Sequence, residues 1–439
     1  MASLLWSLIA IHASPQLSRY DEWTYIDYAD AISHGRLPAP GDELGELART
    51  AWSCRGMEGD IRGVTPPPCD RANEDASQWP FRGENYNAFH PPLYFAYAGA
   101  AGRIATALGA DFVDGARLAS GLLAAMGAAA LFYALITWGI GRRLAAGATL
   151  AAISTPALAQ ASAIVHNDAV DLLAGAAALY LARRVCILAA MDEDHPAERH
   201  RAWRRLGRAA FGLSLAIGSV RTISLVALIT VGAVAVLVPA WRRRGGAMVA
   251  GGVAAGAALA YLPWTALQRA RTPDGYVPDI SGLSTEPLSA GQIPHLLTTF
   301  VGARAPYGLT SPRTDYYLHP DLSSPVLQGW AWVLMIACYA AAIISLLLLL
   351  RRREMSPAAR FIGAVILLGP LITSGIVQGR ELATSGSFFR MLSGRYAITL
   401  APLYYAGFAL VARKYHAKWV GLTCGLAGYL ALVSAPFLS

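Results

Sequence analysis

Residues 115–143, GARLASGLLAAMGAAALFYALITWGIGRR, decide the fold of this chain. They form a long, mostly apolar run that closes on the pair Arg142-Arg143. A helix of about 20 apolar residues is enough to cross a hydrocarbon core of about 30 Å. Similar runs recur as far as the C-terminus, separated by short arginine-bearing links, so the sequence predicts an all-α integral membrane protein.

The composition agrees with that prediction. Of 439 residues, 55% are hydrophobic and 15% are charged, and the mean hydropathy of +0.40 is too high for an ordinary soluble enzyme. A formal charge of +8 would suit a nucleic-acid partner. However, the basic clusters lie at the ends of apolar runs, so the excess charge reflects membrane topology and no nucleic-acid partner is expected.

The basic clusters also predict how the chain is threaded, because cytoplasmic loops collect Lys and Arg. Placing all of them inside gives about eleven spans and a C-terminus outside. The spans are 2–17, 115–141, 144–163, 169–190, 206–220, 222–241, 246–267, 326–350, 360–377, 395–412 and 419–437. If residues 91–110 crossed the membrane, every later basic cluster would move to the outer side. They are therefore interpreted as an amphipathic helix at the outer surface, with Arg103 snorkelling.

The segment 2–17 is short and lacks the basic residues that usually precede a first span. We expect a retained helix, and a cleaved signal peptide is the alternative. The whole of 1–439 is interpreted as a single transmembrane domain with two long outer segments, 18–113 and 268–325. Loops of that length exceed what a connection needs, so the chemistry is expected on the outer face.

Cys54 and Cys69 both lie in the first outer segment. A bond across that spacing would stabilise the segment by about 3 kcal/mol in the chain-entropy model. We expect a disulfide formed in an oxidising compartment, with two free loop cysteines as the alternative.

Four carboxylates follow the first span. Asp21 and Glu22 are predicted at the outer end of this span. A partly desolvated carboxylate is costly there unless it has a partner or a functional role. Asp27 and Asp30 are interpreted as solvated residues that begin an interfacial helix. A further acid occurs in AIVHNDAVD, 163–171, which places His166, Asn167 and Asp168 where another span exits, although Asp168 could simply cap the next helix.

Arginines on the outer side break the charge bias of the chain. Arg221 interrupts the turn between two spans, and Arg380, Arg390 and Arg395 cluster in residues 378–400. A guanidinium at bilayer depth is costly unless it meets an anion, so a phosphate is the expected ligand, with snorkelling to lipid headgroups as the alternative. His90, in the HPP corner at 90–92, either contacts the substrate or stabilises the corner.

Several of these strings together resemble the GT-C superfamily of polytopic glycosyltransferases, which includes protein O-mannosyltransferases and bacterial aminoarabinose transferases. The resemblance consists of DE at 21–22, HPPLYF at 90–95, HNDA at 166–169 and GRY at 394–396, in that order along most of the chain.

The resemblance implies a sugar donor linked to polyprenyl phosphate, used with inversion on the periplasmic or extracellular side of the inner (plasma) membrane. It makes Asp21 similar to the family's catalytic acid, Asp168 to a second outer acid, and Arg395 to part of a late arginine motif near the lipid phosphate. The expected partners are the donor, a glycan, lipid or protein acceptor, and membrane lipids.

The chemistry leads to the same residues. Because the lipid phosphate is already a good leaving group, the protein must supply a base for the acceptor hydroxyl and cations for the phosphate. Asp21 is the expected base and Glu22 its catalytic neighbour. The expected substrate-binding residues are His90, His166, Asn167, Asp168, Arg221, Arg395 and Tyr396.

Trp23 and Tyr25 are expected to stack on the sugar. No cofactor is expected to be required, and a divalent cation is optional. A transporter or flippase for a lipid-linked sugar would also need acids and arginines in a cavity, but such proteins usually show internal symmetry, which this sequence lacks. A non-catalytic subunit that binds polyprenyl lipid is the third interpretation.

Overall fold

The computed structural model describes most of the chain, and it is predominantly helical. The described residues are 1–19, 21–57, 66–72, 78–191, 195–237, 241, 245–276, 285–301, 324–350, 356–389 and 394–438. Their longer α-helices are Ala2–Ala13, Glu22–Ser33, Glu46–Arg55, Leu93–Ala107, Phe112–Thr137, Arg142–Ile153, Asp171–Ala189, Pro196–Val220, Val226–Leu237, Ala247–Arg271, Ile293–Val301, Pro325–Leu350, Pro357–Ser385, Ala401–Lys414 and Lys418–Ser434.

Within the described residues, six helical segments are long and apolar enough to cross a membrane. They are Phe112–Thr137, Asn167–Ala189, Ala247–Arg271, Pro325–Leu347, Pro357–Ala383 and Lys418–Phe437. Two shorter apolar helices are Ala2–Ala13 and Ile223–Leu237. Each predicted span contains a helix, so the prediction of a helical membrane protein is confirmed, whereas the count of eleven spans stays a prediction.

The predicted span 144–163 is not one helix. It consists of Arg142–Ile153 and the short helix Pro156–Ala161, separated at Ser154 and Thr155. Pro156 causes the break, because proline disfavours helical backbone in the residue before it and fits best in the first helical turn. The chain then leaves the second helix at Ser162 and reaches the 3₁₀ helix Asn167–Val170, which carries part of the predicted site.

The outer segment 18–113 has its own aromatic core. The rings of Trp23 and Trp52 are 4.6 Å apart, and those of Tyr28 and Phe95 stack at 4.0 Å. The helix Leu93–Ala107, predicted to lie at the surface, packs against the helices Glu22–Ser33 and Phe112–Thr137. The described part of this segment is therefore a packed cap on the bundle.

Asp27 corrects one expectation about this cap. It is buried rather than solvated, and its carboxylate accepts hydrogen bonds from the Gly45 backbone N–H at 2.6 Å and from Asn85 Nδ2 at 2.6 Å. Burial raises the pKa of Asp27, while these two bonds lower it. Asp30 is half-buried and lies 3.3 Å from His34.

The predicted disulfide is confirmed. Cys54 and Cys69 are bonded, with their Cα atoms 4.6 Å apart. The bond joins the end of the helix Glu46–Arg55 to the 3₁₀ turn Cys69–Arg71. Next to it, Arg55 pairs with Asp111 at 2.5 Å and Asp114 at 2.9 Å, so the same helix is also fixed to the start of a long span.

A small two-stranded sheet joins the second outer segment to the region before Arg395. Strand Thr285–Pro287 pairs antiparallel with Ser387–Phe389, with Glu286 opposite Phe388. The predicted arginine Arg390 lies outside the described residues. Arg395 is the second residue of the 3₁₀ helix Gly394–Leu400.

Close packing of the cap requires a glycine at 99. A Cβ added there would collide with the backbone oxygen of Ala29 on the neighbouring helix. We expect Gly99→Ala to destabilise the protein by about 1–3 kcal/mol, because one of the two helices must shift. Gly212→Ala is the matched control, since a Cβ at that helical position meets no atom within 4 Å.

The measurement is the thermal unfolding temperature of both variants in detergent. Gly212→Ala should leave that temperature unchanged or raise it, because alanine is the better helix former. Equal unfolding temperatures for the two variants would contradict the close approach of these helices.

Candidate active site

Asp21 stands at the start of the helix Glu22–Ser33 in an unusual conformation. Its φ of 65° lies in the left-handed region, which costs a residue other than glycine about 1–3 kcal/mol. The carbonyl of Asp21 nevertheless accepts the first hydrogen bonds of the helix, from Thr24 N at 3.0 Å and Tyr25 N at 3.2 Å. Such strain is frequent at functional sites, where the surroundings hold it in place.

The carboxylate of Asp21 has one neutral and one cationic neighbour. Tyr86 donates its hydroxyl hydrogen bond to Oδ1 at 2.7 Å, and Arg395 Nη2 lies 3.8 Å from Oδ2. The side chains of Asp21 and Arg395 are 18% and 21% exposed. This acid therefore meets a guanidinium at a place that a substrate can reach.

Glu22 has a different environment, although it follows Asp21 directly. It is completely buried, and Arg117 binds both of its oxygens, with Nε to Oε1 at 2.8 Å and Nη2 to Oε2 at 2.9 Å. The backbone N–H groups of Ser18 and Val165 donate to the same carboxylate at 2.7 and 2.9 Å. These bonds engage both oxygens away from any accessible surface, and a catalytic role for Glu22 stays a prediction.

A second charged centre lies where the 3₁₀ helix Asn167–Val170 begins the next span. Asp168 is 2.6 Å from Arg221 Nη2 and 2.8 Å from His166 Nδ1. Asp171, which the sequence analysis missed, is 2.7 Å from Arg221 Nη1 and accepts a hydrogen bond from Ser224 Oγ. Asp171 and Ser224 are completely buried, and as whole residues His166, Arg221 and Asp168 are only 3%, 4% and 6% exposed.

Arg221 therefore differs from the open phosphate ligand that we expected. It follows the helix Pro196–Val220, and both of its terminal nitrogens face carboxylates. Two acids share one guanidinium, so its charge is already compensated. This geometry assigns Arg221 to holding Asp168 and Asp171, and it leaves Arg395 as the more accessible cation.

Tyr25 joins the two centres. Its hydroxyl is 3.1 Å from His90 Nε2, and its ring is 4.6 Å from that of His166. Burial raises the pKa of Tyr25, and the charges of Asp21 and Asp168 raise it further. The connection is also geometric, because the backbone N–H of Tyr25 donates to the Asp21 carbonyl while its ring contacts His166, the neighbour of Asp168.

The two aromatic residues expected to stack on a sugar are both buried. Trp23 and Tyr25 are each 2% exposed, and their rings pack on Trp52 and His166. Neither ring has an exposed face in this structure, and their stacking on a sugar stays a prediction.

His90 is partly buried beside Tyr25. Burial lowers its pKa well below 6.5, and the charges of Arg221 and His166 lower it further, against the opposing effect of Asp168. The imidazole is therefore neutral at pH 7. It can exchange a hydrogen bond with Tyr25 or with a hydroxyl group, and it brings no positive charge to a phosphate.

Two further predicted residues lie beside these centres. Tyr396 lies under the guanidinium of Arg395, 5.6 Å from ring centre to Cζ, and 6.4 Å from the ring of Phe389. Asn167 is completely buried, and neither polar atom of its amide has a hydrogen-bond partner among the described residues. Tyr396 therefore reaches Asp21 only through Arg395 among the described contacts, and Asn167 has no described side-chain contact with Asp21.

A cleft brings part of both centres together. Its polar lining includes His166, Asp168 and Arg395, together with Gln160, which the sequence analysis did not single out. The apolar part is Ala157, Ala161 and Ile164. Within the described residues, no group of three or more His, Cys, Asp or Glu side chains is arranged to hold a metal ion.

Three residues that the sequence analysis missed carry much of this geometry: Arg117, Asp171 and Tyr86. Arg117 could have been recognised from the sequence, because it is a lone arginine within an apolar span, where an unpaired charge is energetically costly. Asp171 lies one helical turn after Asp168, at a spacing that places both on one face. Tyr86 left no signal, since its contact with Asp21 depends on the fold of the cap.

Comparisons with known proteins gave two solved structures. No family model matches this chain, and no curated protein matches it. ArnT from Cupriavidus metallidurans in the apo state is 16% identical over 94% of this chain and 60% of that one, with a TM-score of 0.44. The same protein bound to undecaprenyl phosphate is 16% identical over 95% and 61%, with a TM-score of 0.46.

This chain therefore spans about 60% of the length of the two ArnT chains that it matches.

Removing Glu22 should affect folding. We expect Glu22→Gln to lower the free energy of unfolding by about 3–5 kcal/mol, because it leaves the buried charge of Arg117 without its partner. Asp21→Asn is the matched neighbour, and it should change the unfolding temperature far less because Asp21 is partly exposed. A Glu22→Gln protein that unfolds at the wild-type temperature would refute the structural role of this pair.

The state of His90 predicts a pH effect. Its pKa is lower in the folded protein than in the unfolded chain, so unfolded chains bind more protons below pH 6.5 and stability falls as the pH drops. We expect the unfolding temperature of His90→Gln to fall less than that of the wild type between pH 7 and pH 5.

His200, an exposed residue of the helix Pro196–Val220, provides the control variant His200→Gln. This control should keep the wild-type pH dependence. Identical pH profiles for His90→Gln and the wild type would show that His90 is not held neutral by its surroundings.

Proposed function

We propose that this protein is an inverting glycosyltransferase, which moves a sugar from a polyprenyl-phosphate-linked donor to an acceptor hydroxyl. We place the reaction on the extracytoplasmic face of the inner membrane. The observation that carries the proposal is the pairing of a strained, partly exposed Asp21 with Arg395, beside the cleft that His166 and Asp168 line.

Asp21 supplies the base. It takes the proton of the acceptor hydroxyl as the acceptor oxygen forms its bond to the anomeric carbon of the sugar. The hydrogen bond from Tyr86 to Oδ1 fixes the carboxylate and leaves Oδ2, the oxygen on the Arg395 side, for the acceptor. Burial and the charge of Asp21 raise the pKa of Tyr86, so the phenol keeps its proton and remains a donor.

Arg395 supplies the cation for the leaving group. The bond between the anomeric carbon and the phosphate oxygen breaks, and its electron pair goes to the lipid phosphate, whose charge the guanidinium stabilises. Before the donor binds, Arg395 is the ionic neighbour of Asp21 at 3.8 Å. A phosphate that draws Arg395 away would free Asp21 to act as base, so donor binding would prepare the acid for the acceptor.

The second centre holds the sugar. Arg221 fixes Asp168 and Asp171, and Asp168 in turn faces His166 and the cleft. A carboxylate and imidazoles are suitable partners for sugar hydroxyls, because hydroxyls both donate and accept hydrogen bonds. Asp168, His166 and His90 are therefore assigned to orienting the donor sugar, with Arg221 as their support.

The decisive experiment mixes purified protein with radiolabelled polyprenyl phosphate sugars and a membrane extract as the source of acceptors. We expect Asp21→Asn to reduce transfer of the label by about 10²- to 10⁴-fold, because the general base is lost. Asparagine tolerates the left-handed conformation, so the backbone at residue 21 is kept.

Asp30→Asn is the control, since Asp30 lies in the same helix and faces His34 instead of the cleft. It should transfer label at the wild-type rate. Unchanged transfer by Asp21→Asn would remove Asp21 as the base. A transporter would move donor across a vesicle bilayer and leave the label on the lipid.

A further inference from the structure

Gln160 lies in the short helix that follows the Pro156 break. Its neighbours in PALAQA are small or apolar, and its side chain is 3% exposed. The amide nitrogen Nε2 donates a hydrogen bond to Ser18 Oγ at 3.2 Å. The carbonyl oxygen Oε1 has no hydrogen-bond partner among the described residues.

This buried acceptor borders two small cavities. One lies on the Ser18 side and is also lined by Arg117, and the other is the cleft of His166, Asp168 and Arg395. Gln160 lines both cavities, and its amide nitrogen is hydrogen-bonded to Ser18 in the first, so its unpartnered oxygen is the amide atom left for a ligand in the second.

An unmatched amide at this depth is costly. A buried polar atom without a hydrogen-bond partner lowers the stability of the fold by about 1–3 kcal/mol, so a glutamine among alanines at this position is unusual. A hydroxyl group would satisfy the amide whether its oxygen or its nitrogen faces the cleft, because a hydroxyl both donates and accepts.

The lining of the cleft is chemically mixed. Ala157, Ala161 and Ile164 form an apolar wall, whereas His166, Asp168 and Arg395 are polar or charged. A sugar ring presents C–H groups on its faces and hydroxyls at its rim, so it can meet both kinds of surface at once. A bare lipid phosphate would use only the guanidinium.

We propose that Gln160 is a specificity-determining residue that hydrogen-bonds a hydroxyl of the transferred sugar. The proposal rests on the function proposed above and adds a residue that distinguishes one sugar from another. Gln160 is assigned to the sugar alone, whereas Arg395 is assigned to the phosphate, so the two residues should affect different ligands.

The test measures binding to purified protein in lipid nanodiscs. The probes are bare polyprenyl phosphate and polyprenyl phosphate linked to glucose, galactose, mannose or arabinose. Gln160→Met keeps a side chain of similar length, and it should reduce the preference for the best-bound sugar lipid over bare polyprenyl phosphate by about tenfold, the loss of one hydrogen bond. Arg395→Gln should weaken both ligands and keep their ratio.

Gln268→Met is the matched control. Gln268 is a buried glutamine whose Nε2 donates to the Ala88 carbonyl and whose Oε1 also has no hydrogen-bond partner among the described residues, yet it does not line the cleft. It should leave the preference unchanged. An unchanged preference in Gln160→Met would overturn the proposal, as would a wild type that binds bare polyprenyl phosphate as tightly as every sugar lipid.

A second measurement needs no variant of the protein. Deoxy analogues of the best-bound sugar lipid, each lacking one hydroxyl, should include one that binds the wild type about tenfold more weakly. If no single deletion weakens binding, the proposal fails. Label transfer measured in parallel distinguishes the proposed transferase activity from the proposed role of Gln160. A sugar preference that depends on Gln160, without any label transfer, would refute the activity and support the sugar site.

Discussion

The buried ion pair of Glu22 and Arg117 is the constraint on which the site depends. Arg117 lies in the long span Phe112–Thr137, and it also donates to the carbonyls of Ser14 and Gln16 at 2.8 and 2.6 Å. Glu22 accepts from Val165, just before the second acidic centre. One pair of opposite charges therefore fixes the end of the first helix, the start of the cap and the approach to Asp168.

The environments of two adjacent acids differ because the helix begins between them. Asp21 precedes the helix in the left-handed conformation and its carboxylate lies near Arg395, whereas Glu22 is the first helical residue and its carboxylate is buried against Arg117. Burial also differs between them: both oxygens of the buried carboxylate are engaged by Arg117, and the partly exposed carboxylate keeps an oxygen 3.8 Å from the guanidinium of Arg395. The same division occurs among the arginines, where Arg221 is compensated by two acids and Arg395 is more open.

Much of this arrangement could be predicted from the sequence, because apolar length and charge placement are local signals. They predicted the helical membrane fold and most of the acids and arginines of both centres, and the spacing of two cysteines predicted the disulfide. The partners were not predictable, since Glu22 and Arg117 are 95 residues apart and Tyr86 meets Asp21 only through the packing of the cap. Asp27 was misread for the same reason, because its burial depends on Gly45 and Asn85 rather than on its neighbours in the chain.

The covalent bond between Cys54 and Cys69 has a consequence for how the protein is made. Thiols pair only where an oxidant can reach them, so the cap is completed after this part of the nascent chain has met such an environment. Synthesis in a cell-free mixture buffered with excess dithiothreitol would yield chains with an unlinked cap. Preparations from such mixtures need an oxidised glutathione step before their activity is compared with that of protein isolated from cells.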